Sequence, residues 1–173
     1  RYGLVSWARD VYKRQPLYCL AEGLVLGGIS AYANALYPGI ANQAIALTFG
    51  ILAALLFLYK SRLIAATENF KLGVFSATFG ILIIYVLNLI LSLFGVSFMG
   101  PLFGNGLTGI LFSLFVIGIA SLNLVLDFDF IENGAEQGAP KYMEWYAAFG
   151  LMITLIWLYI EILNLLMKLR SRR

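Results

Sequence analysis

Histidine is absent from this sequence of 173 residues, and cysteine occurs only once, as Cys19. Without histidine the chain cannot use Ser-His or Cys-His catalysis, and it lacks the side chain that most often titrates near neutral pH. A single cysteine excludes an intramolecular disulfide and a metal site built from several thiolates. Any response to pH near neutrality must therefore come from carboxyl groups.

Charge is also scarce, since only 12% of the residues are charged and 61% are hydrophobic. A soluble domain carries about a quarter charged residues. The apolar residues are collected into runs long enough to cross a bilayer, joined by short links. The sequence therefore predicts an all-α multi-pass membrane protein with one transmembrane domain over residues 16–170 and a short basic tail, 171–173. The predicted spans are 17–36, 40–59, 72–94, 107–127 and 142–167.

Residues 1–15 differ from the rest of the chain, because they are polar and basic and give way to apolar sequence at Pro16. Their last six residues, DVYKRQ, match what one reading frame of a transposon end used in sequencing-library preparation would encode. Our hypothesis is that residues 1–15 are a non-native segment joined to a truncated gene. A short amphipathic cytoplasmic helix is the alternative.

Basic residues are concentrated at the end of the chain, which has a net charge of +3. This cluster is typical of a cytoplasmic flank of a membrane helix, and we favour that interpretation over nucleic-acid binding. An equal number of basic residues falls in the links predicted on the opposite side, so charge does not decide the orientation. The cluster consists of Lys168, Arg170, Arg172 and Arg173.

Acidic residues at the end of the fourth span mark the first candidate site. Asp127 and Asp129 are two residues apart and so point about 200° away from each other on a helix. Asn123 is four residues before Asp127 and shares its face, whereas Asp129 shares a face with Glu132 and Glu136 toward solvent. We therefore predict that Asp127 is buried and that Asp129 is a border residue.

The fifth span contains one isolated acid, Glu161, with Trp157 on the same side of the helix. A carboxyl group at membrane depth must be protonated, paired or exposed to water. Glu22, near the start of the first span, is a weaker candidate for an ion path, because a residue so close to a helix end can extend toward the membrane surface.

If Asp127 and Glu161 meet, two carboxyl groups in one low-dielectric site cannot both ionise cheaply, so they would share a proton. Such a pair would respond to pH and offer the oxygen ligands that calcium prefers. An intramembrane aspartyl protease is a weaker alternative, because it needs two aspartates, one in a Gly-x-Gly-Asp motif. A purely structural role for the acids is the other alternative.

The segment DFDFIENGAEQGAPKYMEWY and the following helix resemble the C-terminal helices of the bacterial Bax inhibitor-1/YccA family. EGLVLGGISA and YPGIANQAIALTFG resemble its earlier helices. The resemblance covers residues 16–170. Because members have seven transmembrane helices around a central last helix, it implies that this chain corresponds to the last five.

The resemblance also implies a function: a pH-sensitive calcium leak channel of the bacterial inner membrane, closed by a carboxyl pair on the last two helices. Asp127 and Glu161 match the two positions, although the second is Glu rather than Asp and the span before it is longer. The early-helix arginine that holds this pair has no counterpart here. The resemblance implies no enzyme activity and no resident cofactor, with calcium as the permeant ion bound by these two residues.

The partners expected on this basis are the lipid bilayer, calcium and protons, and no nucleic acid. Some bacterial relatives instead modulate a membrane-bound AAA protease. The alternative function is therefore that of a membrane regulator that transports nothing, and a fragment of this length could also be inactive.

Overall fold

The computed structural model describes residues 2–95 and 100–172, and for residues 2–14 and 101 it describes the backbone alone. Within these residues the chain forms six α-helices. They are α1 (Tyr2–Leu36), α2 (Ile40–Lys60), α3 (Glu68–Leu93), the single-turn α4 (Gly100–Phe103), α5 (Leu107–Glu136) and α6 (Tyr142–Arg170).

Five of these helices contain stretches long and apolar enough to cross a membrane: Gln15–Leu36 within α1, and α2, α3, α5 and α6. The mean hydropathy of their most apolar windows ranges from 1.3 to 2.4. A helix of 20 residues at 1.5 Å per residue matches the hydrocarbon core of a bilayer. The prediction of an all-α membrane protein with five spans is confirmed.

The helix limits differ most from the predicted ones in α1 and α5; α3 begins four residues earlier and α6 ends three residues later than predicted. Helix α1 passes through Pro16, so the change in composition there does not end the helix; proline is tolerated in membrane helices. The hypothesis that residues 1–15 are non-native stays a prediction, because Arg1 and the side chains of residues 2–14 lie outside the described part of the chain.

Helix α5 continues to Glu136, well beyond the predicted end at residue 127. Asp129, Glu132 and Glu136 therefore lie on the helix, and the link to α6 is reduced to residues 137–141. Two of these acids, Asp129 and Glu132, have partners on other helices, which makes a continued helix compatible with its charge. In the tail, Ser171 and Arg172 follow α6, and Arg173 is not described.

The interior is formed where α6 packs against α5, α2 and α1. Its largest fully buried side chains include Leu124 on α5 and Leu158 and Leu163 on α6. Helices α3 and α4 also pack against α5. The buried polar side chains of the described residues are Thr48 on α2, Ser113 on α5 and Glu161 on α6.

The tight turn between α1 and α2 depends on Gly39, whose φ of 83° lies in the left-handed region that favours glycine. The side-chain carbonyl of Asn34 accepts a hydrogen bond from the Gly39 amide at 2.7 Å. This turn places α2 beside α6.

Candidate functional site

Glu161 is the most enclosed acid among the described residues, with 6% of its surface exposed. The hydroxyl of Tyr85, on α3, donates a hydrogen bond to its Oε1 at 2.6 Å. The indole of Trp157, one turn earlier on α6, is a second hydrogen-bond donor to the same carboxyl group. Burial with two donors is the arrangement that makes a carboxyl group tolerable inside a membrane protein.

Aromatic rings surround this hydrogen bond. The ring of Tyr85 lies 5.5 Å from that of Phe103 on α4 and 6.4 Å from that of Phe112 on α5, measured between centroids. Phe103 and Phe112 also contact each other, at 5.8 Å. Helices α3, α4 and α5 thus each contribute a ring, and together they hold the tyrosine hydroxyl toward α6.

Asp127 is partly rather than fully buried and faces α6 near Gly150 and Thr154. A Cβ atom added at Gly150 would lie 3.8 Å from Oδ1, an ordinary van der Waals distance, so the carboxyl group lies close against α6. The hydroxyl of Thr154 is a hydrogen-bond partner of Asp127, but it also lies 3.2 Å from the Gly150 carbonyl oxygen. One hydroxyl hydrogen can serve only one of these acceptors. The other oxygen, Oδ2, is buried and has no hydrogen-bond partner within the described residues.

The two carboxyl groups do not lie side by side, because they occupy different levels of the α5–α6 pair. Asp127 lies beside Thr154, and Ser113 lies beside Lys168. Positions 113 and 127 are fourteen residues apart on α5, and positions 154 and 168 are fourteen residues apart on α6, so the two helices run past each other in step. Glu161 is midway, seven residues from Thr154. Seven residues correspond to about 10 Å along a helix axis. The structure therefore does not bring Asp127 and Glu161 into the contact that proton sharing requires.

Lys168 is a third charged group at the α5–α6 interface. The ammonium group of Lys168 donates hydrogen bonds to the Gly109 carbonyl at 3.2 Å and to the Ser113 hydroxyl at 2.9 Å, both on α5. The sequence-based interpretation counted Lys168 with the basic tail and missed this inward position. The signal that could have found it is its spacing of seven residues from Glu161, which places both on one face of α6.

Gly109 provides the close approach on which this contact depends. A Cβ atom at this position would overlap the carbonyl group of Gly104, in the turn between α4 and α5. The turn therefore rests directly on the first coil of α5, beside the carbonyl that accepts from Lys168.

The supporting residues predicted from sequence have other partners. The side-chain amide of Asn123 donates to the Thr78 hydroxyl at 2.7 Å, so Asn123 joins α5 to α3 rather than assisting Asp127. Asp129 forms an ion pair with Lys71 at 2.9 Å and is 20% exposed, an intermediate exposure that agrees with a border residue, but its partner on α3 was not predicted. Its neighbour Glu132 accepts a hydrogen bond from the Tyr59 hydroxyl.

Glu22, the remaining candidate, is half-buried on α1 and forms a hydrogen bond with Tyr18 on the same helix. None of the described contacts joins it to Asp127 or Glu161. Within the described residues, no three His, Cys, Asp or Glu side chains lie close enough together to hold a metal ion. Binding of calcium by Asp127 and Glu161 stays a prediction.

These features define a multi-pass helical membrane protein whose two most enclosed spans contain carboxyl groups. A family model described as Bax inhibitor 1 like matches residues 10–171. Because the match covers nearly the whole sequence, the chain belongs to this family, as its motifs indicated. Searches of curated proteins and of solved structures found no match to the chain.

Proposed function

We propose that this protein is a pH-sensitive cation leak pathway of the bacterial inner membrane, with calcium as the permeant ion and no catalytic activity. The observation that carries the proposal is the placement of Asp127 and Glu161 two helical turns apart along the α5–α6 interface. Acidic groups within membrane helices are costly and are characteristic of ion and proton pathways.

In the proposed mechanism the two carboxyl groups are successive binding positions rather than one proton-sharing pair. Calcium prefers carboxylate, carbonyl and water oxygens, and the Oδ2 atom of Asp127 has no donor to compete with such an ion among the described residues. Glu161 is held by Tyr85, so an ion reaching it must displace the tyrosine hydroxyl. Movement between these positions requires a second packing of α6, and a ligand shifts such an equilibrium only by its different affinity for the two packings.

The response to pH follows from the same groups. A protonated carboxyl group offers a calcium ion no net negative charge, so proton and calcium compete for the same oxygens. Since the chain has no histidine, substitution of the two carboxyl groups should remove the pH dependence of the flux.

The test is reconstitution of the whole chain into liposomes loaded with a calcium-sensitive dye. We expect calcium flux that varies with pH, and we expect Asp127→Asn and Glu161→Gln each to lower it and to flatten its pH profile. Glu144→Gln is the matched control, because Glu144 is an exposed carboxyl group on α6.

Flux that is unchanged in the Asp127→Asn, Glu161→Gln double variant would refute the proposed path. The alternative of a non-transporting regulator predicts no flux from the unsubstituted chain and its recovery from native membranes with a partner such as a membrane-bound protease.

A further inference from the structure

The position of Lys168 is unusual for a basic residue at the end of a membrane helix. Such residues normally extend into the headgroup region, as the exposed Arg170 and Arg172 of the same segment can. The Lys168 ammonium group instead turns back onto α5 and bonds to the Gly109 carbonyl and to Ser113, whose exposure is 2%.

The Glu161 carboxyl group, two turns earlier on α6, attracts the Lys168 ammonium group, but the first turns of α5, which it contacts, do not. Gly109 and Ser113 belong to the first two turns of α5, where the helix dipole favours negative rather than positive charge. Within the described residues, no carboxyl group forms an ion pair with Lys168. A lysine ammonium is strongly hydrated, so two neutral acceptors replace its water poorly. The contact is thus one that the lysine can leave readily when α6 changes its packing.

Lys168 also continues the line of charged groups. It lies two turns beyond Glu161 on the same face of α6, at the level where α4 and its turn close over α5. A calcium ion leaving Glu161 in this direction would meet the positive charge of Lys168 at the end of the α5–α6 interface. Repulsion between like charges is strong where water is excluded.

We propose that Lys168 is a tethered cation that closes this end of the pathway, and that release of its ammonium group from Ser113 accompanies opening. This inference rests on the proposed function and adds a gating residue to it. The lysine occupies the place of a permeating cation, and its flexible four-carbon stem lets the charge leave without a change of backbone.

The experiment compares calcium flux through liposomes containing the whole chain or one of its variants. Lys168→Met keeps the apolar stem and removes the charge, and we expect flux to rise at least about threefold, because loss of a unit charge lowers the barrier for a cation. Lys168→Arg keeps the charge and should stay near the unsubstituted value. Ser113→Ala removes one acceptor and should give an intermediate rise.

Arg170→Met is the matched control, since it removes the same charge two residues away, where the guanidinium is exposed and bonds to the exposed Gln43 side chain at 3.4 Å. It should leave the flux unchanged. An equal rise in Lys168→Met and Arg170→Met would show an effect of tail charge on the membrane surface and would overturn the proposal.

A second variant guards against simple misfolding. In a Cys19→Ser background, Lys168→Cys should leak, and reaction with a positively charged methanethiosulfonate reagent should reduce the leak again. A neutral reagent of similar size should not. If both reagents reduced the leak equally, the effect would be steric, and the electrostatic proposal would be overturned.

The outcomes separate the two proposals. If the unsubstituted chain leaks and Lys168→Met leaks equally, the gating inference fails while the proposed function stands. If neither the unsubstituted chain nor Lys168→Met passes calcium, both fail.

Discussion

Replacement of Tyr85 by phenylalanine is the most direct test of how the membrane-buried acid is held. The substitution removes one hydroxyl group and keeps the ring, so its packing against Phe103 and Phe112 is preserved. Glu161 then loses its 2.6 Å donor while remaining 6% exposed. A buried polar group left without its partner costs more than the hydrogen bond contributed when present.

The expected loss is about 1–2 kcal/mol in the free energy of unfolding. Hydrogen bonds between membrane helices average about 0.6 kcal/mol and reach about 1.7, whereas bonds to charged groups contribute about 1.5–3 kcal/mol. The remaining Trp157 donor should keep the loss below the upper limit. Reversible unfolding in mixtures of a mild detergent with dodecyl sulfate, followed by helical circular dichroism, would measure it.

A double-mutant cycle sharpens the result. Glu161→Leu replaces the acid by an apolar residue but leaves the Tyr85 hydroxyl unpaired, so combining it with Tyr85→Phe should cost less than the sum of the two single losses. Tyr32→Phe is the control, because Tyr32 is 67% exposed. The reasoning is refuted if Tyr85→Phe is no less stable than Tyr32→Phe, or if the two substitutions simply add.

Two further predictions concern packing around the site, and the same unfolding assay checks both. Gly109→Ala should lower the free energy of unfolding by about 1–3 kcal/mol, because its Cβ would overlap the preceding turn. Gly118→Ala is the control: no atom lies within 4 Å of its added Cβ, so it should raise the free energy of unfolding by about 0.5–1 kcal/mol. Equal effects of the two substitutions would contradict the close approach at Gly109. Asn123→Ala should cost about 0.6–1.7 kcal/mol through loss of the bond to Thr78, and Asn133→Ala, which affects an exposed bond within its own helix, should cost less.

Much of this protein could be predicted from sequence because membrane spans are specified locally. Length and apolar composition are sufficient to recognise a crossing helix, so five spans and the all-α class followed directly. The same locality explains why Glu161 and Trp157 were correctly placed on one face, since helical periodicity fixes which side chains are neighbours.

Only the tertiary structure decided which helices meet and at what level. Asp129 was placed at the border because it shares a face of its helix with Glu132 and Glu136, but its partner, Lys71, comes from α3. The separation of Asp127 from Glu161 depends on the register of α5 against α6, which is set by packing over the whole interface and by the short link between them. Periodicity within one helix contains no information about that register.

Lys168 shows the same division. Its sequence position beside other basic residues predicts a surface tail, and that is the usual outcome. Its inward position requires the first turns of α5, more than fifty residues earlier, to present a carbonyl and a hydroxyl at the right height. The sequence alone therefore determined which groups are costly to bury. The tertiary structure determined which of them lie along the α5–α6 interface, because that depends on contacts between distant segments.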